Sequence, residues 1–137
     1  MEVRLIRLLG LSAAALLLGA AAEPPASGLQ GEWRNTNNTV HLRVKPCGSA
    51  LCGTVTWAAP KQRADAQKGS GRDLVGSVLL QDLKPRGKSV WRGSVYIPDI
   101  NTTASATVTQ LDRSLIRISG CTLMGLACKT QHWHRIG

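Results

Sequence analysis

"TVHLRVKPCGSALCGTVTW", residues 39–57, holds two short alternating runs on either side of a cysteine-flanked turn. Val40, Leu42 and Val44 fall on one side of an extended chain, and His41, Arg43 and Lys45 on the other. A period of two is the pattern of a half-buried strand. Beyond the turn, Leu51, Gly53, Val55 and Trp57 take one face of a second strand. Cys47 and Cys52 cannot bridge along a strand that rises about 3.3 Å per residue, because bridged Cα atoms lie less than about 7 Å apart. A turn at Gly48-Ser49-Ala50 brings them together, so the spacing predicts a hairpin closed by Cys47–Cys52. "CTLMGLAC" near the C-terminus predicts a second local pair, Cys121–Cys128. Neither pair has the C-x-x-C spacing of zinc sites or of a thioredoxin-like redox couple.

The N-terminus fits staples of this kind. "MEVRLIRLLGLSAAALLLGAAAEPP" has a basic start at Arg4 and Arg7, an apolar run from Leu8 to Leu18, and small residues at Ala20-Ala21-Ala22. That is the pattern of an export signal, and the apolar run is shorter than the roughly 20 residues that span a bilayer. Residues 1–22 are expected to be removed, which leaves 23–137 as one domain in the periplasm or secreted. Four cysteines in a small exported chain read as disulfides. Losing two arginines and one glutamate with the leader takes the formal charge of +9 to +8. Such a balance suits anionic partners. The cations are scattered rather than run together, and no recognition helix or RNA-binding signature occurs, so nucleic acid is not expected.

Further strands follow. "SVWRGSVYI" (89–97) puts Trp91, Gly93, Val95 and Ile97 on one face and Tyr96 on the other. "TASATVTQL" (103–111) alternates Ala104, Ala106 and Val108 with hydroxyl residues. "DLVGSVLLQDL" (73–83) is more continuously apolar and reads as a strand or a short helix, and "SLIRISGC" and "CKTQHWHRI" close the chain. Turn signals at Lys84–Gly87, Pro98–Asn101 and Asp112-Arg113 separate the runs. Only "AAPKQRADAQKGSGRD" (58–73) breaks the pattern. Its polarity and glycines predict a long mobile loop after the third strand, carrying Lys61, Arg63, Lys68 and Arg72. With "GEWRNT" at the start there are about eight strands, an all-β antiparallel barrel or sandwich. An eight-stranded barrel has room for its own side chains or for one small ligand.

Catalytic patterns are lacking. The three histidines are His41, His132 and His134, and the last two share the strand face opposite Trp133 without an acidic or thiol partner nearby in sequence. No metal site or cofactor is expected from them. There is no G-x-S-x-G nucleophile elbow, and the aspartates fall mostly at turns, where that residue is common for its own reasons. Binding is the expectation, not catalysis.

Gly31-x-Trp33, Cys47-Gly48-x-x-Leu51-Cys52-Gly53 with Trp57, Arg72-x-Leu74-x-Gly76, Trp91-x-Gly93-x-x-Tyr96-x-Pro98, Gly120-Cys121 and Trp133-x-Arg135 occur in that order. Together they resemble the bacterial exported family called domain of unknown function 2147, over nearly the whole mature chain. Two departures stand out. The family's usual Asn-Pro-Asp stretch is replaced near Asp65-Ala66-Gln67-Lys68, and the aromatic expected soon after Pro98 is absent. The resemblance implies a small calycin-type, lipocalin-like up-and-down barrel in which Trp33 closes one end and Arg135 stacks over its ring. It also implies a hydrophobic or amphipathic small-molecule ligand, with Trp33, Trp57, Trp91, Tyr96, Trp133 and Arg135 as binding residues. The alternative is an envelope interaction protein that contacts anionic lipid, glycan or a protein partner through the basic loop. An enzyme is the third reading.

Overall fold

A computed structural model describes residues 28–122 and 127–137; the expected export signal, residues 1–22, lies outside the described residues. The strands are β1 (Gly31–Asn35), β2 (Val40–Cys47), β3 (Ala50–Ala58), β4 (Val78–Pro85), β5 (Val90–Ile97), β6 (Thr102–Asp112), β7 (Leu115–Thr122) and β8 (Ala127–Arg135). Each pairs with the next, all antiparallel, and β8 returns to β1 to close the barrel. The expected eight-stranded up-and-down architecture is the one observed. Closure removes the exposed strand edges that would otherwise invite aggregation.

The alternation seen in the sequence fills the interior. Trp33, Leu42, Leu80, Leu83, Val108 and Ile116 are all at most 2% exposed. Fully burying one such aliphatic side chain is worth about 1.5–3 kcal/mol. The small inward residues do not open a hole. Ala104 and Ala106 are buried, and a methyl added at Gly120 would lie 3.0 Å from Val95 Cγ1, or at Gly53 3.1 Å from Leu80. Larger neighbours already occupy the space those residues leave, so the axis is packed by the chain's own side chains.

The seam between β1 and β8 is short. Trp33↔Arg135, Arg34↔His134 and Asn35↔Trp133 pair across it, and Glu32 extends it by backbone bonds with Ile136 and Gly137, which follow β8. Arg135 reinforces it: its guanidinium lies 4.2 Å from the Trp33 ring centroid, as the family resemblance implies. Nη1 donates to Gln30 O at 2.7 Å, Nε to Arg113 O at 2.7 Å, and Nη2 to Gly28 O. Trp33 Nε1 donates to Leu29 O at 2.9 Å, which ties the N-terminal segment under the same end. Gly31 has φ 134, and a Cβ there would come within 2.5 Å of Arg135 Nη1. The glycine of the Gly-x-Trp motif is the space through which the arginine reaches.

Both disulfides form as expected. Cys47–Cys52 joins Cα atoms 5.8 Å apart across the Gly48-Ser49 turn, where Gly48 takes φ 65. Cys121–Cys128 links directly opposed residues of β7 and β8 with a Cα separation of 4.1 Å.

Three expectations need correction. The segment after β3 is not a loop but a helix, α1 (Pro60–Ser70). Pro60 suits the first turn, where no N–H partner is needed, and alanine, glutamine, lysine and arginine are strong helix formers. Lys61 and Asp65 pair at i,i+4 with 2.6 Å between Nζ and Oδ2. Gly71 ends the helix at φ 74, its N–H bonding Gln67 O at 2.8 Å. Only Ala66 of α1 is buried, and a Cβ at Gly69 would collide with the Asp99 carbonyl. The helix therefore lies backbone-to-backbone on the 3-10 turn Pro98–Ile100.

Second, Trp57 does not share the inward face of Val55. A register shift between His41 and Leu42 leaves His41 opposite Trp57 but Leu42 opposite Val55, and this bulge reverses the phase. Third, β4 starts only at Val78; Leu74 is buried in the turn before it.

If the Trp33–Arg135 end anchors the core, Trp33→Ala should cost about 3–5 kcal/mol, as large core truncations do. Lys68→Ala on the exposed face of α1 should stay within about 0.5 kcal/mol. Urea midpoints decide it, and equal midpoints for the two variants would contradict the role given to Trp33.

Candidate functional site

Two concavities among the described residues open to solvent. The larger, about 750 Å³, lies between the C-terminal end of α1, the 71–77 connection and strands β4 and β5. Its walls include Arg72, Val75, Val78, Gln81, Tyr96 and Asn101. Tyr96 reaches it because Val95, the next residue in the strand, packs against the core. The Tyr96 hydroxyl donates to Asn101 Oδ1 at 2.5 Å, and Asn101 caps the Pro98–Ile100 turn in the left-handed region at φ 47.

The opposite wall is fixed by short-range bonds. Gly76 N donates to Val55 O at 2.9 Å, and Ser77 Oγ to Asp73 O at 2.9 Å. Asp73 accepts from Arg63 Nη2 at 2.7 Å and from Val75 N at 3.0 Å. The Arg63 hydrogen bond, then the Val75 amide, hold the Asp73 carboxyl below its ordinary 3.8. The cleft thus combines apolar surface, at Val75 (37% exposed) and Val78 (40%), with the cation of Arg72 and the amides of Gln81 and Asn101. Among the described residues Arg72 has no carboxylate partner. The smaller concavity, about 260 Å³, sits where the β1–β2 turn meets Thr130–His132 of β8.

The expected site residues do not converge. Trp33 and Trp133 are buried, and Trp91 packs partly against the core. Trp133 Nε1 is buried without a hydrogen-bond partner among the described residues. Arg135 holds the closed end, and burial, then the neighbouring Arg113, lowers its pKa from the ordinary arginine value. Trp57 lies outside, 44% exposed, with its ring 4.7 Å from that of His41. Tyr96 alone of the six lines the larger cleft. In the basic segment Lys61 and Arg63 are bound to Asp65 and Asp73, which leaves Lys68 and Arg72 as its unpaired cations among the described residues.

Sequence reasoning missed Val75, Val78, Gln81 and Asn101. The Pro98–Asn101 turn signal locates Asn101 without giving it a role; the others sit in a continuously apolar run that reads as strand or short helix. Among the described residues no buried side chain is polar or charged, and no three His, Cys, Asp or Glu side chains gather as a metal site would require.

An eight-stranded up-and-down barrel, closed at one end by a tryptophan under an arginine, is a lipocalin-like fold. The chain belongs to the bacterial family described as "Uncharacterized protein conserved in bacteria (DUF2147)", which it matches over residues 31–135. Its fold is similar to that of protein HP1028 from the human pathogen Helicobacter pylori, described as belonging to the lipocalin family. That match has a TM-score of 0.66 and 18% identity, over 80% of this chain and 83% of the other. It is also similar to a redesigned beta barrel, with a TM-score of 0.51 and 13% identity over 82% of this chain and 95% of that one. At these identities the likeness is one of fold. No curated protein matches the sequence.

The Arg63–Asp73 pair gives a pH signature. A carboxyl whose folded pKa is depressed adds stability above its unfolded value, and that stability is lost as pH falls through the lower folded value. Carbon-detected NMR should therefore find Asp73 titrating below 3.8, and Arg63→Ala should move the midpoint upward. A parent midpoint at or above 3.8 would contradict the pairing that fixes this wall.

Proposed function

We propose that this protein is a non-catalytic binding protein of the periplasm, and that it holds a small amphipathic molecule in the cleft between α1, β4 and β5, not along the barrel axis. The carrying observation is the contrast between a packed interior and an open cleft of about 750 Å³, a volume in the usual range for small-molecule sites. The lipocalin-like fold supports a binding role by analogy, since fold alone does not define function. The two disulfides support an oxidising compartment, in keeping with the export signal read in residues 1–22.

In the bound state the ligand's apolar part lies on Val75, Val78 and the Tyr96 ring, while Arg72 meets its acidic head. Trp33, Trp91, Trp133 and Arg135 act as framework. Contact with an anionic envelope surface through the basic segment is the weaker reading, because carboxylates of the same segment already engage Lys61 and Arg63. A catalytic reading would need buried, convergent polar groups.

The test is titration of the mature chain with a fluorescent fatty acid. Binding is expected, with Val78→Glu and Arg72→Glu each weakening it tenfold or more, a change of about 1.4 kcal/mol. No binding, or binding with both variants unaffected, would contradict the proposal.

A further inference from the structure

The register of the barrel places His134, Arg34, His41 and Trp57 side by side on β8, β1, β2 and β3. The pairs are His134↔Arg34, Arg34↔His41 and His41↔Trp57. Their neighbours Trp33, Leu42 and Trp133 are buried, so the row faces outward. Adjacent strands lie about 4.8 Å apart, so the four residues form a convex track of about 14 Å that follows the curve of the closed barrel.

We infer that this row is a second binding site, and that its ligand is an acidic glycan, a chain of sugars carrying carboxylates or phosphates. Trp57, 44% exposed, offers a flat apolar face of the kind on which the C–H side of a sugar ring packs. The other three side chains are oriented by bonds of their own. Arg34 Nη1 donates to Asn35 O at 3.2 Å and Thr36 O at 3.3 Å, which leaves Nη2 and Nε without a protein acceptor among the described residues. His41 Nε2 lies 2.7 Å from Asn38 Oδ1, an oxygen that can only accept, so Nε2 carries the proton. Thr36 Oγ1 donates to His132 O at 3.0 Å and therefore accepts from His134 Nε2 at 3.4 Å. In each neutral ring Nδ1 is then an acceptor for a sugar hydroxyl.

Charge sets the sign of the ligand. Glu32, the carboxylate of the adjoining row, is taken up by Arg43 at 3.3 Å and by Thr56 at 2.9 Å. Arg34 has no carboxylate partner among the described residues, so the row presents a free cation. A single-stranded nucleic acid is the weaker fit, because such sites stack successive bases on several aromatic rings and this row has one tryptophan. The row also shares no residue with the α1–β4–β5 cleft, so the two sites fail or stand separately.

The test is NMR titration of the mature chain with oligogalacturonate, a phosphorylated oligosaccharide, a neutral oligosaccharide of equal length and an oligothymidylate. At least one acidic sugar should shift the amides of residues 34, 41, 57 and 134 and bind tenfold or more tightly than the neutral one. Which acidic sugar binds better separates carboxylate from phosphate as the recognised group. Trp57→Ala should weaken that binding at least tenfold, and Arg34→Gln at least fivefold with a flatter salt dependence. Lys68→Ala should leave it unchanged. The inference is overturned if neither acidic sugar binds, if Trp57→Ala changes nothing, if the shifts centre on α1, or if oligothymidylate binds more tightly than both acidic sugars.

Discussion

The rest of the molecule depends on one arginine. A barrel of eight short strands closes only if its first and last strands meet, and here they meet over three ladder pairs and the backbone bonds of Glu32 with Ile136 and Gly137. Arg135 reinforces that seam by stacking on Trp33 and donating to carbonyls of Gly28, Gln30 and Arg113. Those carbonyls belong to the N-terminal segment and to the β6–β7 turn, so one side chain ties three parts of the chain at one end. A partly exposed cation on an aromatic face contributes about 0.5–2 kcal/mol, and hydrogen bonds to a charged group about 1.5–3 kcal/mol each. Gly31 is part of the same device, since any side chain there would occupy the path of the guanidinium.

With that end plugged, the interior becomes a core. Trp33 and Trp133 take up the volume that a hollow barrel would offer a ligand, and Val95 and Leu80 reach over the glycines of the facing strands. In the proposed function, recognition moves outward as a result. On one side the α1–β4–β5 cleft is held open by a helix that rests on a neighbouring turn and buries a single alanine. On the other, the outward residues of β8, β1, β2 and β3 line up because antiparallel register leaves them no alternative.

Much of this was legible in the sequence, for identifiable reasons. Strands with one buried face announce themselves by alternation, and "VHLRV" and "TASATV" do so without ambiguity. The local disulfides followed from strand rise and Cα reach. Trp57 was misplaced because alternation carries no information about a bulge: one extra residue between Val55 and Trp57 turns the indole from core to solvent. Helix α1 was missed because its usual signature, an apolar stripe, is absent; it packs through Gly69 and Ala66. Its capping signals, Pro60 at the start and Gly71 just past the end, were present and were outweighed by the segment's polarity. The cleft was not legible at all, since it joins residues from α1 to the Pro98–Asn101 turn that only the fold brings together.

The central claim is that ligands meet this barrel from outside because its axis is filled. Intermolecular NOEs between a bound fatty acid and the methyl groups of the mature protein test that most directly. The account predicts NOEs from the acyl chain to Val75 and Val78, and none to Val108, Ile116 or Ile118. NOEs to those three core residues would place the ligand inside the barrel and contradict it.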